Sequence, residues 1–169
     1  MPTVTYTETE RRNIAAVNAM FEAGRELDRS TLFADDAVWW NGLPLLPGNV
    51  GETEHRGIEA IRRILGGSGQ PHPGTGIDSY DLATNRFTDV VVLADGDYVV
   101  RQHTQHSTTL GGKPYRNVYC FVFRFNAEGK IQYLTEHWNT WYAHRVLFDN
   151  FAVEPAHPEG PEDPEGAAQ

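Results

Sequence analysis

Residues 112–143 read GKPYRNVYCFVFRFNAEGKIQYLTEHWNTWYA, and this stretch decides the fold. Residues 115–125 carry aromatic side chains at nearly every second position, which is typical of a β-strand. Residues 131–142 are similarly rich in aromatic and branched residues and predict a second strand. The segment NAEGK between them has the Asn and Gly of a hairpin turn. The two strands are therefore expected to pair antiparallel.

The residues before this stretch continue the same pattern. Residues 80–110 predict two more strands around the turn ADGD, and GGKP turns the chain into residues 115–125. Thr7 and Glu10 have the spacing of a capping box, so residues 7–27 are expected to form an amphipathic helix. AVWWN predicts a short strand, and the isoleucines of residues 58–65 predict a second helix. Helices followed by an antiparallel meander indicate an α+β domain with helices packed on one face of a curved sheet.

Side-chain alternation assigns residues to the two faces of the sheet. In residues 115–125 the odd-numbered, largely aromatic set is expected to face inward. In residues 131–139 the polar side chains of Lys130 and Gln132 are taken to mark the outer face. This assignment turns His137 and Asn139 inward and leaves Leu134, Glu136 and Trp138 outward. Composition does not separate the two faces of residues 97–107, and we place Arg101 and His103 inward.

Composition and charge narrow the classes of partner. The net charge is -9, and residues 154–169 contribute five carboxylates and no Lys or Arg. We predict that these 16 residues are disordered and that residues 1–153 form a single domain. The chain has no basic stripe, so we expect neither a nucleic-acid partner nor binding to a membrane. Exposed Leu134 and Trp138 would favour a homodimer formed through the outer sheet face.

Several further classes are not expected from the sequence. Cys120 is the only cysteine, which excludes an internal disulfide and a thiolate metal site. The N-terminus lacks the pattern of a signal peptide and no apolar run approaches about 20 residues, so we expect a cytoplasmic protein. There is no phosphate loop and no dinucleotide fingerprint. His103, His106 and His137 are the histidines that could together ligate a metal, but no carboxylate is expected to face inward beside them. We therefore expect no cofactor and no metal.

The stretch at residues 112–143 resembles the nuclear-transport-factor-2-like superfamily, in its SnoaL-like branch related to ketosteroid isomerase. The resemblance rests on G-K-x-Y-x-N-x-Y, the phenylalanine-rich strand, G-K-I and E-H-x-N-T, and LFADDAVWWNG and HRGIEAIRRIL extend it to residues 8–150. It implies a cone-shaped α+β barrel, in which a curved antiparallel sheet surrounds an apolar pocket lidded by N-terminal helices. Such proteins include isomerases, cyclases, epoxide hydrolases, dehydratases and binders, so the fold alone does not give the reaction.

The chain departs from these relatives at two positions. The resemblance implies a catalytic aspartate near residue 41 in the isomerases and near residue 139 in the cyclases and epoxide hydrolases. This chain has Asn41 and Asn139 there. A carboxamide cannot act as a base, so proton transfer is expected to fall to other groups.

Histidine titrates near neutral pH and is the commonest general acid or base. This favours His137 as the proton-transfer group, followed by His103. His106, whose side chain points to the opposite face of the strand from that of His103, is the alternative to His103. Each of the three could instead be structural. Hydrogen-bond donors and an inward cation could stabilise an oxyanion or phenolate, and one of Trp39 and Trp40 must face inward. The catalytic candidates are His137, His103, Tyr119, Asn117 and Arg101; the substrate-binding candidates are Trp40, Asn41, Tyr115, Phe121 and Asn139.

These residues predict a cofactor-independent enzyme of proton-transfer chemistry, a lyase or dehydratase or an isomerase or cyclase. The expected substrate is a small aromatic or polycyclic hydrophobic molecule. The alternative is a non-catalytic module of the same fold that binds a small hydrophobic ligand or serves assembly.

Overall fold

The computed structural model of the protein describes residues 4–22, 27–42, 54–67, 69–70 and 78–147. In chain order the elements are α1 (Glu8–Glu22), β1 (Phe33–Trp40), β2 (Glu54–Arg56), α2 (Ile58–Gly67), β3 (Arg86–Asp95), β4 (Tyr98–Thr108), β5 (Pro114–Phe125), β6 (Ile131–Trp138) and α3 (Thr140–Leu147), with short 3-10 turns at Arg29–Leu32 and Leu82–Thr84. The predicted disorder of residues 154–169 lies outside the described residues.

The predicted α+β architecture is confirmed. One curved, unclosed sheet has the strand order β2-β1-β6-β5-β4-β3. The meander β3–β6 is antiparallel throughout, as expected. β1 instead pairs parallel with β6, which makes the sheet mixed.

The two N-terminal helices cover the inner face of the sheet. The Thr7 N–H donates to the Glu10 carboxylate at 2.7 Å and the Glu10 N–H donates to Thr7 Oγ1 at 3.2 Å, so the predicted capping box begins α1. Phe21 of α1 packs its ring against inner-face aromatic residues, including Phe121 and Phe123. Ile61 of α2 is fully buried in the same core.

A local turn signal determines the hairpin between β5 and β6. Gly129 has φ +77°, a left-handed conformation that glycine adopts without steric cost. The Gly129 N–H donates to the Asn126 carbonyl, and the Lys130 N–H donates to the Asn126 side chain at 2.9 Å. The hairpin predicted from NAEGK is therefore present.

A β-bulge at Gln132 reverses the faces of β6. Phe125 pairs with Ile131, but Arg124 pairs with Tyr133, so β6 contains one more residue than β5 over this step. Such an extra residue shifts the alternation of side chains by one position. Beyond the bulge the even-numbered residues face inward, and Leu134 is 0% exposed. The assignment of Leu134, Glu136 and Trp138 to the outer face was wrong, and with it the dimer contact predicted for Leu134 and Trp138.

The last strand is shorter than the sequence indicates. β6 ends at Trp138, and residues 140–147 form α3 rather than continuing the strand. The Asn139 carbonyl accepts the first helical hydrogen bond, from the Ala143 N–H at 3.1 Å, and Asn139 Oδ1 accepts from the Tyr142 N–H at 3.0 Å. Asn139 is thus the N-cap of α3, a role for which Asn is strongly preferred.

The bulge gives a stability prediction. Replacing the fully buried Leu134 by Ala should lower the free energy of unfolding by about 2–5 kcal/mol, because it leaves a cavity in the core. The matched change Leu110→Ala, at an exposed turn between β4 and β5, should stay within about 0.5 kcal/mol of wild type. Urea denaturation measures both, and equal effects would contradict the inner position of Leu134.

Candidate functional site

Cross-strand pairing places several of the predicted site residues side by side on the inner face. Arg101, Phe121 and Glu136 form one row across β4, β5 and β6, and His103, Tyr119 and Trp138 form the next. Asn117 and Tyr115 follow along β5 and are both buried. The inward orientation predicted for Arg101, His103, Asn117, Tyr115, Tyr119 and Phe121 is therefore confirmed, although their roles stay predictions.

His137 and Trp40 lie outside this group. His137 is exposed and pairs with Cys120 on the outer face, and its ring centroid lies 5.2 Å from that of Trp40. The bulge at Gln132 is the reason, because it turns His137 outward. The inner tryptophan of β1 is Trp39 instead. The prediction that His137 faces inward was wrong. Trp40 is not the inward tryptophan of β1, and its contact with a substrate stays a prediction.

Asn41 and Asn139, which stand where the family resemblance implies an aspartate, have local contacts at the strand ends. Asn139 is exposed, and its side chain caps α3, so its predicted inward orientation was wrong, whereas its contact with substrate stays a prediction. Asn117 Nδ2 donates to the Asn139 carbonyl at 3.1 Å, and the Asn139 N–H donates to Asn117 Oδ1 at 3.3 Å. The Asn41 carbonyl accepts from Trp138 Nε1 at 2.8 Å. These contacts fix the point where β6 ends.

Glu136 is the inner-face residue that sequence reasoning missed. Its carboxylate accepts a hydrogen bond from Trp39 Nε1 at 3.0 Å. Burial raises its pKa from 4.5 to about 7, and the bond from Trp39 opposes this rise only in part. A signal was present in the sequence, because Glu136 lies between Leu134 and Trp138 at the spacing of residues that share one face of a strand.

A cluster of three tyrosines lies beside Glu136. The Tyr119 hydroxyl is 2.8 Å from the Tyr115 hydroxyl and 3.0 Å from that of Tyr80, and Asn117 Nδ2 donates to the Tyr115 oxygen at 2.8 Å. Burial raises the pKa of all three phenols, and the charge of Glu136 adds a smaller rise. The hydroxyls therefore stay protonated at neutral pH. Tyr80 was not predicted, because an isolated bridge with Thr109, rather than a strand, brings it here.

The chain matches the family model of the SnoaL-like domain over residues 6–134. The chain belongs to the SnoaL-like family. The resemblance stated from residues 112–143 is thereby confirmed. A comparison of the sequence with curated proteins gives no match.

Solved structures with the SnoaL-like fold superpose on most of the chain. A phenazine biosynthesis-related protein from Pseudomonas aeruginosa is 17% identical, with a TM-score of 0.62, and the match covers 99% of this chain and 96% of that one. TerC, co-crystallised with polyporic acid, is 20% identical with a TM-score of 0.58, and the match covers 80% of this chain and 97% of that one. An LEH-like epoxide hydrolase from M. tuberculosis is 19% identical with a TM-score of 0.54 over 84% and 93%. At these identities the likeness carries the fold alone.

In this SnoaL-like chain Arg101 and His103 form a sealed pair beneath α1. Both are 1% exposed. Arg101 donates through Nη1 to Asn18 at 2.9 Å and to Glu22 at 3.1 Å, and its guanidinium lies 4.6 Å from the centroid of the Phe21 ring. These contacts fasten the last turns of α1 to the sheet.

The same pair fixes the state of His103. Arg101 Nε donates to His103 Nδ1 at 3.3 Å, which leaves the ring proton on Nε2. Burial, and secondly the charge of Arg101, lower the pKa of His103 to about 4. His103 is thus a neutral donor at physiological pH. Its rival His106 points to the outer face, with Nε2 3.0 Å from Thr88 Oγ1.

Neither a cluster of metal ligands nor a membrane-crossing helix is present among the described residues. In residues 4–22, 27–42, 54–67, 69–70 and 78–147 no three His, Cys, Asp or Glu side chains converge as metal ligands. None of the helices in these ranges is long and apolar enough to cross a bilayer.

Glu136 should make the stability of the protein depend on pH. Between about pH 4.5 and pH 7 the folded chain keeps a proton on Glu136 that the unfolded chain releases. Glu136 therefore makes its full contribution to the free energy of unfolding below its pKa in the unfolded chain. Up to about 3 kcal/mol of this contribution is lost as the pH rises through 7. Urea denaturation of wild type and Glu136→Gln across this range measures the effect. Parallel pH dependences for the two proteins would contradict the raised pKa.

Proposed function

We propose that the protein is a cofactor-independent enzyme of proton-transfer chemistry in which Glu136 is the general acid or base. The observation that carries the proposal is the half-buried Glu136 carboxyl, with its pKa near 7, beside a cluster of protonated tyrosines. A general acid or base works best when its pKa lies near the operating pH, because both protonation states are then available. Glu136 takes the role that the sequence suggested for His137, because the bulge turns His137 outward.

The tyrosine cluster is suited to stabilise negative charge. Preorganised donors that point at a developing oxyanion often make the largest single contribution to catalysis. Asn117 Nδ2 donates to the Tyr115 oxygen, while in the Tyr115–Tyr119 and Tyr80–Tyr119 pairs either hydroxyl can be the donor. We propose that a hydroxyl at one end of this cluster donates to a carbonyl or phenolate oxygen of the substrate.

The aromatic rings of the inner face favour a flat substrate. The rings of Trp138 and Tyr119 are nearly parallel, with centroids 5.6 Å apart. The ring centroids of Tyr119 and Phe121 are 5.7 Å apart, with an angle of 8° between the ring planes. Such rings bind aromatic ligands through stacked or edge contacts. We therefore propose a small aromatic or polycyclic substrate. Support comes from the fold shared with a phenazine biosynthesis-related protein and with a protein co-crystallised with polyporic acid.

The proposed chemistry needs one proton acceptor and one hydrogen-bond donor that stabilises an oxyanion. Glu136 as carboxylate removes a proton from a carbon or oxygen atom of the substrate, and the tyrosine hydroxyls stabilise the resulting enolate or phenolate. Protonated Glu136 then returns the proton to another atom or to a leaving hydroxyl. Isomerisation, cyclisation and dehydration all fit this sequence. The epoxide hydrolase of the same fold supports an enzymatic role.

We also propose that two copies pair through the outer face of the sheet. The outer patch, defined as Val91, Leu93, Tyr98 and Val118, consists of large apolar side chains that are each 48–53% exposed. Large apolar side chains that share one face of a sheet are typical of an interaction surface. A second copy offers the same patch, so a twofold arrangement covers both.

Glu136→Gln should reduce turnover of an aromatic substrate by at least about a hundredfold, because the amide cannot accept or donate the proton. Binding should persist, since the side-chain volume is unchanged. The wild-type rate should follow one ionisation with an apparent pKa near 7. Screening an aromatic substrate panel and measuring binding by calorimetry tests both points, with His137→Ala as the matched control that retains activity. A variant that keeps full turnover would refute the role of Glu136, whereas binding without turnover in wild type would favour the non-catalytic alternative.

Val118→Lys should convert the dimer to a monomer, because a charge introduced into the patch opposes its burial. Leu110→Lys, at an exposed turn between β4 and β5, is the control and should leave the dimer intact. Sedimentation velocity over a range of protein concentrations measures the mass. A wild-type monomer at every concentration, or a dimer in both variants, would contradict the proposed interface.

A further inference from the structure

Three basic residues form a row across the outer face of the sheet. Arg86 of β3 pairs with His106 of β4, which pairs with Arg116 of β5. Direct cross-strand neighbours have Cβ atoms about 4.5–5.5 Å apart, so the row brings the two arginines near one another on either side of His106. This basic row lies on the outer face, because its neighbours Tyr115 and Asn117 on β5 face inward.

The described residues neutralise the basic row only in part. His106 Nε2 lies 3.0 Å from Thr88 Oγ1. The nearest carboxylate, Asp89, accepts hydrogen bonds from Thr88 and Thr104 at 3.0 and 3.1 Å. These bonds lower the pKa of Asp89, and the charges of Arg116 and His106 lower it further. Neither arginine side chain forms a hydrogen bond or ion pair with any residue in the described ranges, so positive charge remains uncompensated.

The chain itself carries a complementary segment near the row. Residues 154–169 contain five carboxylates and no Lys or Arg. The described chain ends in α3, where the Tyr142 hydroxyl accepts a hydrogen bond from the Arg116 N–H at 3.0 Å. Leu147 lies about 8 Å further along the helix axis. Glu154 follows seven residues later, and an extended chain of that length spans up to about 25 Å. The acidic segment therefore starts within reach of the row.

We infer that the acidic C-terminal segment, residues 154–169, docks on the basic row of the same chain. A tether of a few residues gives the segment a high effective concentration at the row, so several individually weak ion pairs act together. The contact is independent of the proposed reaction. It borders the outer patch, because Val118 follows Arg116 on the same face of β5. The docked segment covers one edge of that patch and so limits how much apolar surface is open to a second copy.

Backbone NMR of the full chain tests the inference. The ¹⁵N heteronuclear NOE of residues 159–165 should be clearly positive at low salt, as for a bound segment. It should fall to the values of a free chain in Arg86→Gln/Arg116→Gln, and also at about 1 M NaCl, where the Debye length is about 3 Å. The control Arg62→Gln/Arg63→Gln removes the same charge from the exposed face of α2 and should leave the NOE unchanged.

The reciprocal variant examines the other side of the contact. Replacing Glu159, Glu162 and Glu165 by Gln and Asp163 by Asn should shift the side-chain Nε–H signals of Arg86 and Arg116 in the direction that salt shifts them. Equal thermal midpoints show that the variants remain folded. Free-chain NOE values in wild type at low salt would overturn the inference, as would NOE values unaffected by Arg86→Gln/Arg116→Gln. Order that grows with protein concentration would also overturn it, because the contact would then join two copies.

Discussion

One extra residue in β6 determines which side chains reach the inner face of the sheet. Beyond the bulge at Gln132, the pairing with β5 sets Leu134 beside Phe123 and Glu136 beside Phe121. Without the bulge, alternation from the buried Ile131 would direct His137 inward and Glu136 to water. The hydrophobic core and the acid–base group both depend on this step. The energetic cost of burying a carboxyl group is offset in part by the hydrogen bond from Trp39.

The bulge has a counterpart in the neighbouring strand. β1 pairs with β6 through Phe33 and Ile131, and next through Val38 and Tyr133, so β1 has three more residues than β6 over the same step. Both strands are irregular at the same place. The resulting register sets Trp39 beside Leu134, from where its indole reaches Glu136. The site is therefore built by two matched irregularities rather than by regular strands.

The features predicted correctly from the sequence are those that depend on near neighbours. The capping box of Thr7 and Glu10 and the hairpin at Gly129 are local, and simple alternation holds along the regular strand β5. The face of β6 depends on its pairing with β1 and β5, which alternation within β6 cannot reveal. Tyr80 depends likewise on an isolated bridge to Thr109, a residue distant in sequence. α3 was predictable in principle, because Asn139 is a good N-cap, but the aromatic residues after it were interpreted as strand.

The position of the acidic group follows from how β6 ends. Asn139, where the family resemblance implies an aspartate, caps α3 and exchanges two hydrogen bonds with Asn117, so it serves to end the strand. Glu136 lies three residues earlier and is the only acidic residue in β4, β5 and β6. With a second carboxylate beside it, repulsion between the two charges would raise one of the two pKa values strongly. A single carboxyl among neutral phenols avoids this repulsion, so Glu136 keeps a pKa near 7 and can both accept and return a proton.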